Sequence, residues 1–133
     1  PYTTLFRSAS SFGQYASSVA LRSDLKPTFE MVKAFKKRRD LLISLVKDIK
    51  GIKYNKPEGA FYLFPDVSYY FGKTLRGTLI NNADDFSMYL LSEANVATVT
   101  GDAFGNPNCI RLSYATSEDL LMEAFKRIKE ALA

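Results

Sequence analysis

The 133-residue sequence contains no histidine, no tryptophan and a single cysteine, Cys109. Without histidine there is no imidazole acid/base pair and no Ser-His-Asp triad, and one thiol supports neither a disulfide framework nor a Cys/His zinc site. No run approaches the roughly 18 consecutive apolar residues of a membrane span, and the start lacks a basic segment leading into an apolar one. Neither a membrane helix nor a secretory signal is expected, and a reducing, cytoplasmic setting fits. Seven glycines and five prolines are too few for a collagen-like or low-complexity chain. What is present is core-forming: 47% of residues are apolar and 24% charged, which excludes a disordered tail and favours one domain. Eighteen basic against fourteen acidic residues give a net charge of +4, short of the density that argues for nucleic acid by itself. Any catalysis must draw its difficult chemistry from elsewhere.

The first eight residues, PYTTLFRS, resemble the translation of a short-read sequencing adapter and are expected to be foreign. Setting them aside removes only Arg7 from the charge balance. Residues 11–21 carry Phe12, Tyr15, Ala16, Val19 and Ala20 at spacings of three and four, which predicts a short buried helix. Ser23, Asp24 and Pro27 punctuate the chain, and Pro27 suits the first turn of a longer helix running to about Lys50 and closed by Gly51. In that helix Val32, Phe35, Leu42, Val46 and Ile49 form one stripe. Residues 52–54 are a short strand candidate. After the turn Lys56-Pro57-Glu58-Gly59, the run Ala60-Phe61-Tyr62-Leu63-Phe64 is apolar throughout and predicts a strand covered on both faces and stopped by Pro65.

Residues 66–83 are irregular, with Lys73-Thr74-Leu75-Arg76 between Gly72 and Gly77 reading as an exposed loop. A helix is expected from about Ala83 to Ala94, capped by Asn82 with Asp85, its residues Phe86, Tyr89 and Leu90 turned inward. Residues 96–100 are a strand candidate, and residues 108–114 alternate cleanly. A last helix starts near Thr116 or Ser117, where Asp119 helps cap it, with Leu121, Ala124, Phe125, Ile128 and Leu132 on one stripe. The sum is an α+β domain, a small mixed sheet with packed helices.

Arg111 is the first candidate for chemistry. Alternation puts Ile110, Leu112 and Tyr114 on one face of a strand and Cys109, Arg111 and Ser113 on the other, so Arg111 has small neighbours and room to reach a pocket. Its planar fork of donors matches a carboxylate and stays charged at any working pH. An edge-strand arginine paired with a nearby acid is an equally valid reading from position alone. Lys36-Lys37-Arg38-Arg39 is the nucleic-acid candidate, but four successive helical residues spread round all sides, which favours a solvated face with Arg39 snorkelling or paired. The loop Gly101-Asp102-Ala103-Phe104-Gly105 lacks the lysine of a phosphate loop and reads as a tight connection. Cys109 reads as a packed small residue, and Tyr62 and Tyr114 as core or rim.

Two motifs carry a resemblance. Lys56-Pro-Glu-Gly-Ala-Phe-Tyr-Leu-Phe-Pro65 and Val99-Thr-Gly-Asp-Ala-Phe-Gly-Asn-Pro-Asn-Cys-Ile-Arg-Leu-Ser-Tyr114 resemble the C-terminal part of class I pyridoxal-phosphate-dependent aminotransferases, most like bacterial aspartate aminotransferases. The resemblance runs from about Ser11 to Ala133. It implies that residues 9–27 are a helix joining from a large domain and residues 28–133 the small, substrate-closing domain. It also implies that Arg111 grips the substrate α-carboxylate and that residues 101–107 shape the approach to it. The Schiff-base lysine and the other groups holding pyridoxal 5'-phosphate would lie upstream, so no catalytic, cofactor-binding or metal-binding residue is assigned here. A fragment of this kind would be inactive alone and would not hold the cofactor, whereas the complete parent would be a homodimer moving an amino group between an amino acid, aspartate foremost, and a 2-oxo acid. Related aminotransferases or lyases with other substrates, and a small basic nucleic-acid-binding module, are the alternatives.

Overall fold

Three of the four α-helices among the described residues begin where a side chain accepts from a free N–H of the first turn: Asp24, Asn82 and Ser117 supply the acceptors. The computed structural model describes residues 9–133, so the segment expected to be foreign lies outside the described residues. Two compact units are distinguishable, one ending at Lys33 and one running from Ala34 to Ala133. In the first, α1 spans Ser11–Arg22, close to expectation in extent but not in burial: none of its residues is buried, and Phe12 is 86% exposed. Periodicity marks which face seeks a partner; it does not supply one. The carboxylate of Asp24 then accepts from the N–H of Lys26, the first residue of α2 (Lys26–Lys47), where Pro27 sits harmlessly in the first turn.

In the second unit α2 buries Leu42 and Val46 and half-buries Phe35, while Val32, expected on the same stripe, lies in the first unit and is exposed. The helix stops at Lys47, three residues short of expectation, and a turn carries the chain through buried Ile49 to Gly51. Gly51 adopts φ +84°, and a Cβ there would lie 2.0 Å from the ring of Tyr69, so both conformation and space demand glycine.

The sheet has the order β1-β5-β4, built from β1 (Tyr62–Leu63), β4 (Val99–Thr100) and β5 (Ile110–Ser113). Its ladders are all antiparallel where a mixed sheet was expected: Leu63 faces Leu112, and Thr100 faces Ile110. The apolar run at residues 60–64 is not covered on both faces. Leu63, Pro65 and Val67 are buried, whereas Phe61 is exposed and Tyr62 and Phe64 are half-buried, the pattern of a strand with one core face. Pro65 interrupts the ladder without ending it, since its carbonyl accepts from Ile110 and Asp66 bridges to both Lys53 and Cys109.

The expected loop at residues 73–76 is instead half of a hairpin, β2 (Lys73–Leu75) with β3 (Thr78–Ile80). Arg76 (φ +46°) and Gly77 (φ +89°) form its two-residue turn, both in the left-handed region that such turns require. Helix α3 spans Ala83–Ala94 as expected, with Asn82 accepting from the Asp85 N–H at 2.8 Å. The Asp85 carboxylate reaches back to the N–H of Asn81. Helix α4 spans Glu118–Leu132, capped by Ser117, and buries Leu121, Phe125, Ile128 and Ala131, with Ala124 and Leu132 only half-covered. Both helices pack with the sheet around Phe86, Tyr89, Leu90, Ile110, Leu112 and Tyr114 in one α+β core.

Candidate functional site

Arg111 lies on the middle strand of the sheet, which disposes of the edge-strand reading: β5 is paired on one side with β1 and on the other with β4. The alternation holds in detail, with Ile110, Leu112 and Tyr114 buried, Arg111 half-buried and Ser113 exposed. Tyr114 is fixed by two bonds, its N–H donating to Phe61 O at 2.9 Å and its hydroxyl to Ala60 O at 3.0 Å. These hold the Ala60-Phe61 segment, in which Ala60 takes φ +56°, beside β5.

No carboxylate among the described residues lies within ion-pair distance of Arg111. Its partners are aromatic. The guanidinium carbon stands 4.5 Å from the ring centre of Tyr62 and 4.2 Å from that of Phe104. Tyr62 is paired with Ser113 in the ladder, which makes it the diagonal neighbour of Arg111 on the same face. Phe104 arrives from the other side, on the connection out of β4, and meets Phe64 edge-on at 6.2 Å. The negative ring faces stabilise the cation without using its N–H groups, so among the described residues the donor fork is unspent.

Local chemistry dictates the shape of that connection. Residues Gly101–Phe104 form one 3-10 turn, ended by Gly105 at φ +79°. Gly101 donates to Cys109 O at 2.7 Å and accepts from the Asn106 N–H at 3.1 Å. A Cβ on Gly101 would fall 2.1 Å from Asn106 O and 2.4 Å from Cys109 O, so only glycine lets the loop close this tightly. It is the tight connection expected, and its product is the placement of Phe104.

A cavity of about 310 Å³ is lined by Lys53, Tyr54, Asn55, Phe64, Asp66, Asn106 and Cys109. Burial, with the nearby Asp66 carboxylate, pushes the Cys109 thiol above its ordinary pKa, so it is a packed thiol rather than a nucleophile. The Ser68 hydrogen bonds hold the Asp66 carboxyl below its usual range. The four-residue basic cluster disperses as expected. Lys37 pairs with Glu118, Arg38 lies over Phe35, and Arg39 bonds Asp40 and the Pro57 carbonyl, so no continuous basic stripe forms. Among the described residues there is no cluster of metal-ligating side chains, and no helix is long and apolar enough to cross a membrane. Sequence reasoning missed that Tyr62 and Phe104 are the neighbours of Arg111. Tyr62 had a signal in its alternation; Phe104 lay in the segment 101–107 that the resemblance puts at the approach to Arg111, with nothing to single it out.

The family model for class I and II aminotransferases matches residues 2–128, and the chain belongs to that family. It is 47% identical over 130 residues to a bifunctional aspartate aminotransferase and glutamate/aspartate-prephenate aminotransferase of Petunia hybrida, covering 93% of this chain and 27% of that protein. A probable aspartate/prephenate aminotransferase of Aquifex aeolicus is 46% identical over 123 residues, covering 91% and 30%. Among solved structures, the aspartate aminotransferase of Rhizobium meliloti superposes with a TM-score of 0.89 at 41% identity, covering 97% of this chain and 33% of that one. An alanine aminotransferase of Pyrococcus furiosus superposes at 0.79 with 29% identity, covering 90% and 29%. The chain thus spans between a quarter and a third of the length of these relatives.

Members of the family depend on pyridoxal phosphate and act on amino and 2-oxo acids. The described residues do not by themselves fit that cofactor. No described lysine is buried, and the cavity that Lys53 lines does not include Arg111.

Proposed function

We propose that this region forms the carboxylate-binding arm of an aminotransferase that moves an amino group between aspartate and a 2-oxo acid, with Arg111 binding the substrate α-carboxylate. The observation that carries this reading is a half-buried guanidinium whose fork of donors faces no acid among the described residues, flanked by rings instead. An arginine already paired would have to break that pair to bind a substrate; among the described residues Arg111 has no such pair to break. Partial burial between rings lowers the local dielectric, which strengthens attraction to an entering carboxylate, while the fork geometry selects a planar anion over a single point charge. Aspartate as the amino donor is supported by relatives named aspartate or aspartate/prephenate aminotransferases, and the likeness to an alanine aminotransferase makes substrate choice the property to measure first. The carrier cofactor, in this reading, is held by residues outside those described, in a homodimeric complete enzyme.

The test is steady-state kinetics of the full-length enzyme containing this region. Arg111→Ala removes a charged hydrogen-bonding partner worth about 1.5 to 3 kcal/mol. That lowers kcat/KM for aspartate and for 2-oxoglutarate together by about 10- to 100-fold. Unchanged kinetics for both substrates in that variant would refute the assignment.

A further inference from the structure

We infer that Tyr62 and Phe104 are positioning residues that clamp the Arg111 guanidinium from opposite sides and present its donor fork to the substrate. This rests on the reading of Arg111 as the carboxylate-binding residue. An arginine side chain has four rotatable bonds and loses considerable freedom when it is held in one pose, so an unpaired arginine aimed at a site needs something to hold it. In this chain the usual holder, an internal carboxylate, is missing among the described residues, as it is not for Arg39 or Arg127. An internal carboxylate would also compete with the substrate for the same N–H groups. Two rings 4.5 and 4.2 Å from the guanidinium carbon hold the cation without touching its function, because the attraction is to the ring faces and the N–H groups lie in the guanidinium plane.

The two rings come from elements on either side of β5, Tyr62 from β1 and Phe104 from the 3-10 turn after β4. Each ring is braced in turn: Phe61 packs against Tyr62 at 4.4 Å, and Phe64 meets Phe104 at 6.2 Å. The tight closure at Gly101 therefore acts through Phe104. Neither ring is a core residue. Tyr62 is half-buried and Phe104 is 45% exposed, so shortening them leaves the packing of the domain in place.

The experiment uses the full-length enzyme with Tyr62→Leu, Phe104→Leu, Tyr62→Phe, Phe104→Tyr and Arg111→Lys, each checked for an unchanged melting temperature. Cation-π contacts of this kind correspond to about a 2- to 30-fold effect each. The leucine variants are expected to raise KM for aspartate and 2-oxoglutarate by that factor, with a smaller change in kcat, while Tyr62→Phe and Phe104→Tyr, which keep a ring face, recover most of the loss. Combined with Arg111→Lys, a leucine substitution should add little, since the clamp has lost what it holds. If Arg111→Lys is impaired and both leucine variants retain the parental KM, or if the leucine effects add in full to that of Arg111→Lys, the clamp is overturned and the role of Arg111 stands. If Arg111→Lys itself leaves KM unchanged for both substrates, the underlying reading fails with it. Should Phe104→Leu melt early, the KM of Phe104→Tyr and Tyr62→Leu decides the question.

Discussion

Replacing Gly101 with alanine adds one methyl group, yet it should be among the costlier single changes in the second unit. Its φ lies outside the left-handed region, so the penalty is one of space and not of backbone conformation. The new Cβ would sit 2.1 Å from Asn106 O and 2.4 Å from Cys109 O, and both are main-chain atoms that cannot rotate away. The turn must open, which strains or breaks the bonds from Gly101 to Cys109 O and from Asn106 to Gly101 O. Forced overpacking costs about 1 to 3 kcal/mol, and each lost hydrogen bond about 0.5 to 1.5 kcal/mol. A total of about 2 to 6 kcal/mol is expected, the upper end if both bonds are lost outright. Gly59→Ala is the matched control, for a Cβ there meets nothing within 4 Å and Gly59 too lies outside the left-handed region. That change should be neutral or stabilise by up to about 1 kcal/mol through the unfolded chain. Urea unfolding of both variants, followed by far-UV circular dichroism, makes the comparison. Equal stabilities for the two would refute the claim that the turn's closure demands glycine.

Two further changes probe the core. The Tyr70 phenol, its hydroxyl donating to Lys50 O at 2.6 Å, is pushed by burial up to about 12 from 10.0, so the folded state holds its proton in a range where the unfolded chain has released it. Stability should therefore fall as pH rises from about 10 to 12, by at most about 3 kcal/mol, and Tyr70→Phe should abolish that part of the slope in urea titrations at several pH values. Phe86 is fully buried and stacked on Tyr70 at 4.9 Å, and Phe86→Ala should cost about 3 to 5 kcal/mol; a loss under about 1 kcal/mol in the same assay would contradict its place at the centre of the core.

The helices were legible because their information is local. Asn82 and Asp85, three residues apart, define the start of α3, and the spacing of Leu121, Phe125 and Ile128 defines the buried face of α4, with no knowledge of the rest of the chain. The hairpin was not legible, although a two-residue turn with glycine second is a recognised sign. Arg76 is an uncommon residue at φ +46°, and the usual asparagine or aspartate before the glycine is missing, so the segment read as a loop. The run at residues 60–64 failed for a different reason. Five apolar residues in a row suggest two covered faces, but Phe61 packs on Tyr62, Tyr62 faces Arg111 and Phe64 meets Phe104, all outside the buried core.

The same distinction separates the two halves of the site. Alternation alone places Arg111 opposite buried Ile110 and Leu112, and the small neighbours Cys109 and Ser113 explain why it has room. What holds it depends on register. Tyr62 becomes its neighbour only because Tyr62 pairs with Ser113; a slip of one residue would turn Tyr62 to the opposite face and bring Leu63 in its place. Phe104 becomes its neighbour only because Gly101 permits a turn that no larger residue could make. One residue supplies the charge, and two elements distant in sequence decide where it points. If Arg111 binds the substrate carboxylate as proposed, Gly101→Ala should raise the KM of the full-length enzyme for aspartate without touching the arginine, and an unchanged KM would break the link between the loop's geometry and the site.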